Sequence, residues 1–217
     1  MVVSATATLF DAARVRPVRR SIALAGAAMI VGSLVLLSSA RLRRADVRLG
    51  DILRRTRSGP SDRLVAAATD LGSMYGVLGV GAALWVSGHQ RLARDVIAVG
   101  SAAWTVAQGA KTRVQRERPY EAEGVVRLIR PPTGSSYPSG HATVAAATMS
   151  VIAAEADGPV RALAWSLALF VAASRVYVGV HYPSDVLGGA GLGLLLWRAW
   201  RLVTRGSVAQ AGPGDTV

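Results

Sequence analysis

"SIALAGAAMIVGSLVLLSSA", residues 21–40, carries no charged side chain over twenty residues. Coiled as a helix it covers ~30 Å, the thickness of a bilayer's hydrocarbon core. The preceding "RVRPVRR" resembles the basic start of a signal peptide, but the apolar run is long and "RLRR" follows at once. That arrangement resists export and cleavage, so the stretch reads as an uncleaved span. Further apolar runs follow at roughly 63–88, 95–110, 141–155, 160–180 and 184–203, richer in Ala and Gly than in Leu. The runs beginning at 95 and 141 are too short to stand alone. As a set, the six predict an all-α polytopic membrane bundle of about six transmembrane helices. Gly72 with Gly76 and Gly189 with Gly193 put small residues one turn apart, which suits close helix contact.

The bulk numbers point the same way. Hydrophobic residues make up 51% of the 217 and aromatics only 6%. Mean hydropathy is +0.35, rarely met in a soluble enzyme of this size. The formal charge of +12 would suit nucleic acid if it formed one basic arm. Instead the arginines stand in short clusters between apolar runs, as flanks of membrane spans do, so nucleic acid is not an expected partner. Without cysteine, neither disulfides nor thiolate metal sites can form.

Residues 1–18 read as a disordered basic N-terminus, 19–203 as one six-span domain, and 204–217 as a disordered tail. Within the domain, 41–63 mixes eight arginines and three aspartates with Leu42, Val47, Leu49, Ile52 and Leu53. It fits an amphipathic helix on the membrane surface, ended by Gly59–Pro60, and equally a solvated basic loop.

Six spans alone would suit a transporter, a channel subunit or an enzyme. Three polar clusters at span ends discriminate, and counting spans puts all three on one side. In "KTRVQRERP", Lys111 is the single lysine of the chain. Lys111 and Arg118 are seven residues apart, so on a continuing helix they would share one face, ~10 Å from each other, until Pro119 stops it. Two long cations so placed could clamp a phosphate or could anchor a helix end to lipid headgroups. In "PSGH", Ser139 is a natural N-cap, Gly140 allows close backbone approach, and His141 opens a helix whose free N–H groups favour an anion. In "SRVYVGVHYPSD", Arg175 ends one span, His181 follows, and Asp185 lies in the first turn of the next. A carboxylate four residues beyond a histidine can hold one ring nitrogen and leave the other free. The converging set has two histidines, a carboxylate, three strong cations and a helix N-terminus. So many cations would repel a metal ion; a phosphate fits.

Together K-x6-RP, PSGH and SR-x5-H-x3-D resemble the type-2 phosphatidic acid phosphatase superfamily, the lipid phosphate phosphatases. The motifs cover residues 111–185, and the six-span layout extends the likeness across roughly 20–203. The resemblance implies that His181 attacks phosphorus and becomes a phosphohistidine, and that Asp185 orients it. His141 would protonate the leaving oxygen and then activate water. Lys111, Arg118 and Arg175, with Ser139 and the Gly140 N–H, would hold the phosphate oxygens. It implies no cofactor and no metal, a membrane lipid phosphate as substrate and the bilayer as surroundings. Soluble acid phosphatases and vanadium haloperoxidases share such a site, but have no need of six lipid-soluble runs. Polyprenyl diphosphate is the first substrate expectation, and phosphatidic acid or phosphatidylglycerol phosphate the second. A phosphotransferase, or a membrane protein that binds phosphate without hydrolysing it, stays open. The family places its site on the extracytoplasmic face of the plasma membrane. The excess of Lys and Arg on the motif side leans faintly the other way. Asp70 reads as a functional carboxylate or an interfacial one, Gln108 is undecided, and His89 lies on the far side.

Overall fold

A computed structural model describes residues 20–210 in backbone and 20–204 in side chains. Residues 1–19 and 211–217, which include the expected N-terminal segment and the end of the expected tail, lie outside the described residues. Helices are α1 (Arg20–Leu37), α2 (Ala40–Arg54), α3 (Gly59–Ala68), α4 (Met74–Val86), α5 (Gln90–Lys111), the short α6 (Pro119–Ala122), α7 (Gly140–Glu155), α8 (Gly158–Tyr177) and α9 (Pro183–Gln210). A 3₁₀ turn, Thr69–Gly72, links α3 to α4. No strand occurs among the described residues, so the bundle is all-α.

The bundle is built around α7. Its sequence "GHATVAAATMSVIAAE" is made mostly of small residues, and all but His141 and Ala154 are buried. Helices α5, α8 and α9 pack directly on it, α1 packs on α9 and α4 on α5. Close approach is built into α9: a methyl group at Gly189 would meet the Ser139 carbonyl, and one at Gly193 the Thr143 carbonyl. Polar residues are tolerated inside α7 because they bond backward along the helix, Thr143 Oγ1 to the Ser139 carbonyl at 2.9 Å and Thr148 Oγ1 to Val144 at 2.8 Å. The outer helices are oppositely made. On α1, Leu24, Val31, Leu34 and Val35 are exposed, a surface suited to lipid. A buried bond between Ser33 Oγ and Tyr137 Oη, 2.8 Å long, ties α1 to the loop before α7.

All six apolar runs become helical, and the count of about six spans is approximate. By length and composition three helices among the described residues could cross a membrane: α1, α8 and residues 183–204 of α9. Residues 59–72 and 74–86 make a fourth only if taken as one span bent by 71°. The other two fall outside that test for physical reasons. Helix α5 carries Arg91, Arg94 and Asp95 at its start, and α7, with 16 residues, reaches only ~24 Å. Being sheathed by its neighbours, α7 need not match the bilayer. The protein is a membrane protein whose α7 is sheathed by α5, α8 and α9.

Two boundaries also differ. The basic segment forms an amphipathic helix, α2, that ends at Arg54, while Gly59–Pro60 starts α3 instead of stopping α2. Proline is at home in a first helical turn, and Ser61 Oγ accepts from the Ser58 N–H at 3.1 Å. On α2, Asp46, Gly50 and Arg54 point inward while Leu49 and Ile52 are exposed. Its protein-facing stripe is thus polar and its exposed stripe partly apolar, the reverse of a soluble surface helix. At the other end α9 continues past 203 to Gln210, since "TRGSVAQ" contains no proline to break it.

Candidate active site

Four helix ends converge at one end of the bundle: the C-termini of α5 and α8 and the N-termini of α7 and α9. Between them lies a cavity of about 240 Å³ lined by, among others, Lys111, Arg118, Gly140, His141, Arg175 and His181. Gln108 and Trp104 of α5 complete one wall. A second, more open hollow of about 600 Å³ shares Gln108, Lys111 and Thr133 with it.

His181 sits in the tight connection between α8 and α9. Gly179 adopts φ +83°, left-handed backbone that favours glycine, and the chain turns back so that the N–H groups of Val180 and His181 both donate to the Arg175 carbonyl. The imidazole is 3% exposed. Its Nε2 lies 3.4 Å from an Arg118 nitrogen at the cavity wall, and its Nδ1 lies 3.5 Å from Asp185 Oδ2 on the buried side, a long contact for a hydrogen bond. Burial is the main force on its pKa, which falls from 6.5 to about 4; Asp185 pulls upward, and Arg118 and Arg175 push further down. The ring is therefore neutral at pH 7 and keeps a lone pair on the nitrogen not protonated.

Arg118 is fixed by backbone carbonyls. Its Nε donates to Gly134 at 3.1 Å, one terminal nitrogen to Val180 at 2.9 Å, and the other to Thr133 and Ser135 at 3.2 and 3.3 Å. Arg175, also buried, donates to Thr69 Oγ1 at 2.8 Å, and Thr69 is in turn 2.8 Å from Ser174 Oγ. Lys111 is less enclosed. Ser139 is the expected phosphate contact that does not line the cavity. It is wholly buried and caps α7, its Oγ accepting from the Ala142 N–H at 3.5 Å. The Gly140 N–H, at the cavity wall, has no acceptor within the helix.

Asp185 does not line the cavity either. It stands behind His181, wholly buried, and its two oxygens accept from Arg116 at 2.6 Å, Ser136 Oγ at 2.5 Å and the Tyr182 N–H at 2.8 Å. Arg116 also donates to Asp46 Oδ2 at 2.9 Å and to Ser184 Oγ at 2.7 Å, and lies 3.7 Å over the Tyr182 ring. Asp46 is itself fully buried and accepts from the Ser184 N–H at 2.9 Å. One guanidinium thus bridges a carboxylate of the surface helix α2 to the carboxylate behind His181. Asp46, Arg116, Ser136 and Thr69 were not expected from the sequence. Arg116 stands in the first motif between Arg113 and Arg118, and only folding tells it apart from Arg113. Of the undecided residues, Gln108 lines the cavity, Asp70 Oδ1 lies 3.6 Å from His141 Nε2, and His89 caps α5 at the far end.

Sequence comparison identifies the family. Residues 92–208, more than half of the chain, match the family model described as the PAP2 superfamily. The chain is 37% identical over 99 residues to the decaprenylphosphoryl-5-phosphoribose phosphatase of Mycolicibacterium smegmatis, covering 44% of this chain and 53% of that protein. It is 39% identical over 77 residues to the undecaprenyl-diphosphatase of Sulfolobus acidocaldarius, covering 35% and 37%. The chain thus spans about half or less of the length of these curated relatives. A crystal structure described as a transmembrane PAP2-type phosphatidylglycerolphosphate phosphatase from Bacillus subtilis superposes with a TM-score of 0.69, covering 84% of this chain and 96% of that one at 23% identity. That last likeness speaks to fold alone. With the motifs, the helical architecture and the family match in agreement, the chain belongs to the PAP2 superfamily.

Proposed function

We propose that this protein hydrolyses a membrane lipid phosphate or diphosphate through a phosphohistidine on His181. Polyprenyl diphosphate is the first substrate, and phosphatidic acid or phosphatidylglycerol phosphate the alternative. The observation that carries the reading is the buried His181 ring, set between Arg118 at the cavity wall and Asp185 behind it.

The phosphate enters among Lys111, Arg118, Arg175 and the first-turn amides of α7, which balance its charge. The Nε2 lone pair of His181 attacks phosphorus while the bond to the lipid oxygen breaks, and His141 gives that oxygen a proton. Asp185 steadies the imidazole as it becomes positive. Water then attacks the phosphohistidine and gives its proton to His141. The P–N bond breaks and inorganic phosphate leaves. In the cell we place the enzyme in the plasma membrane with this cavity on the extracytoplasmic face.

The test is phosphate release by purified protein in detergent with EDTA present, offering polyprenyl diphosphate, phosphatidic acid and phosphatidylglycerol phosphate in parallel. Release from one of them supports hydrolysis and names the substrate. Transfer of the phosphoryl group to an added lipid alcohol would instead make it a phosphotransferase, and binding without release would remove the mechanism.

Two further results are expected. His181 must be unprotonated to attack, and its pKa is held near 4, so kcat/KM stays level as pH falls through 6.5 and drops only toward pH 4. A limb at the ordinary histidine value would show a solvated ring. Asp46→Asn removes one of the two charges shared by Arg116, so that Arg116 neutralises Asp185 more fully and Asp185 supports the imidazolium less. The expected fall in kcat is roughly ten- to a hundredfold, the size seen for outer partners of metal ligands. Unchanged kcat in a well-folded variant would detach α2 from the chemistry.

A further inference from the structure

The break in the bent α3–α4 pass is built around the cavity. Thr69 holds Arg175, and Gly72 packs so closely that a methyl group there would meet the His141 carbonyl at 2.9 Å. Between them Asp70 points its carboxylate at His141, Oδ1 to Nε2 at 3.6 Å. That Nε2 is buried and makes no hydrogen bond to the described residues. The Asp70 side chain is 72% exposed at the cavity rim, so a small rotation closes the remaining ~0.5 Å to hydrogen-bond distance.

Charge gives this contact its meaning. His141 shares the cavity with Lys111 from α5, Arg175 from α8, and Arg118 and His181 from the loops. Burial and the three cations oppose a positive charge on His141, yet in the proposed cycle His141 must carry a proton to the leaving oxygen and then take one from water. Asp185 is sequestered behind His181 by Arg116, Ser136 and the Tyr182 N–H. Among the described residues, Asp70 is the carboxylate that faces His141 directly.

We propose that Asp70 is a positioning residue for His141: it holds Nε2, fixes the ring's orientation and offsets the charge of its protonated form. Nδ1 is then the nitrogen that serves the substrate. In the first half-reaction the Nδ1 proton passes to the lipid oxygen as the P–O bond breaks and the P–N bond forms. In the second, water gives its proton back to Nδ1 as the P–N bond breaks. Asp70 neither gains nor loses a proton in either half. The inference rests on the phosphatase reading and adds to it a carboxylate from outside the three motifs and outside the matched residues 92–208.

The experiment compares wild type, Asp70→Asn and Asp70→Glu for release of phosphate from polyprenyl diphosphate and phosphatidic acid in detergent, across pH, with thermal unfolding alongside. Asp70→Asn is expected to lower kcat/KM about ten- to a hundredfold, a part of what a general acid contributes, and to move the alkaline limb of the profile to lower pH. Asp70→Glu, which keeps the charge, is expected to recover part of the loss and return the limb. Wild type that releases phosphate from neither lipid would overturn the phosphatase reading, and this inference with it. Wild type that turns over while Asp70→Asn matches it would overturn the inference alone. So would a loss of rate with the limb unmoved, which would make Asp70 a packing residue.

Discussion

His181→Ala is expected to release no phosphate above background from a lipid that wild type turns over, a loss of roughly four orders of magnitude or more, as for nucleophiles elsewhere. The alanine variant has no atom that can form the P–N bond, and no other side chain lining the cavity can replace it. Lys111 is spent on charge, and His141 on the proton. The fold should survive, because Asp185 keeps Arg116, Ser136 and the Tyr182 N–H as partners when the imidazole is gone. Its carboxylate is not stranded, and only a ring-sized hollow is left at the edge of an existing cavity. The checks are phosphate release with EDTA present and a melting curve close to wild type. Substantial residual turnover by a folded His181→Ala protein would remove the phosphohistidine.

Arg118→Ala should be as damaging to turnover and far more damaging to the fold. The guanidinium is 1% exposed and is the common donor to the carbonyls of Thr133, Gly134, Ser135 and Val180. It therefore staples the loop before α7 to the loop that carries His181. Truncation strands the buried Val180 carbonyl and leaves those of Thr133, Gly134 and Ser135 to solvent, at a cost of about 1–3 kcal/mol. Arg118→Lys keeps the charge but offers a point instead of a fork, so most of the stability loss should persist. Circular-dichroism melting of both variants, with phosphate release beside it, is the measurement. A melting temperature unchanged in Arg118→Ala would mean that the two loops are held by something else.

Which parts of this were legible in the sequence follows from the range of the interactions involved. The motifs are local, so their residues could be named, and counting spans sufficed to put them at one end of the bundle. Hydropathy was less reliable for the inner helices. Residues 141–155 are apolar enough to be noticed, yet too short to span, because α7 answers to the packing of α5, α8 and α9 and not to lipid. Ser139 reads as both cap and ligand, and the fold shows the cap. Asp46 was out of reach altogether. It stands in a segment that reads as well for a solvated loop, and its partner Arg116 is 70 positions away, one of three arginines in a single motif. Asp70 showed as a carboxylate near a span end, but the 71° bend that turns it toward His141 leaves no pattern in the residues around it.

The single lysine has a consequence of its own. Every other basic side chain that lines the cavity is a guanidinium or an imidazole, and Lys111 lies where the 240 Å³ cavity meets the wider hollow outside it. A reagent that acylates amines finds one lysine side chain in the entire sequence, and that amine stands at the threshold of the chemistry. The yield of modification at this position, read by mass, becomes a gauge of whether the cavity is filled, without isotopes, mutations or turnover.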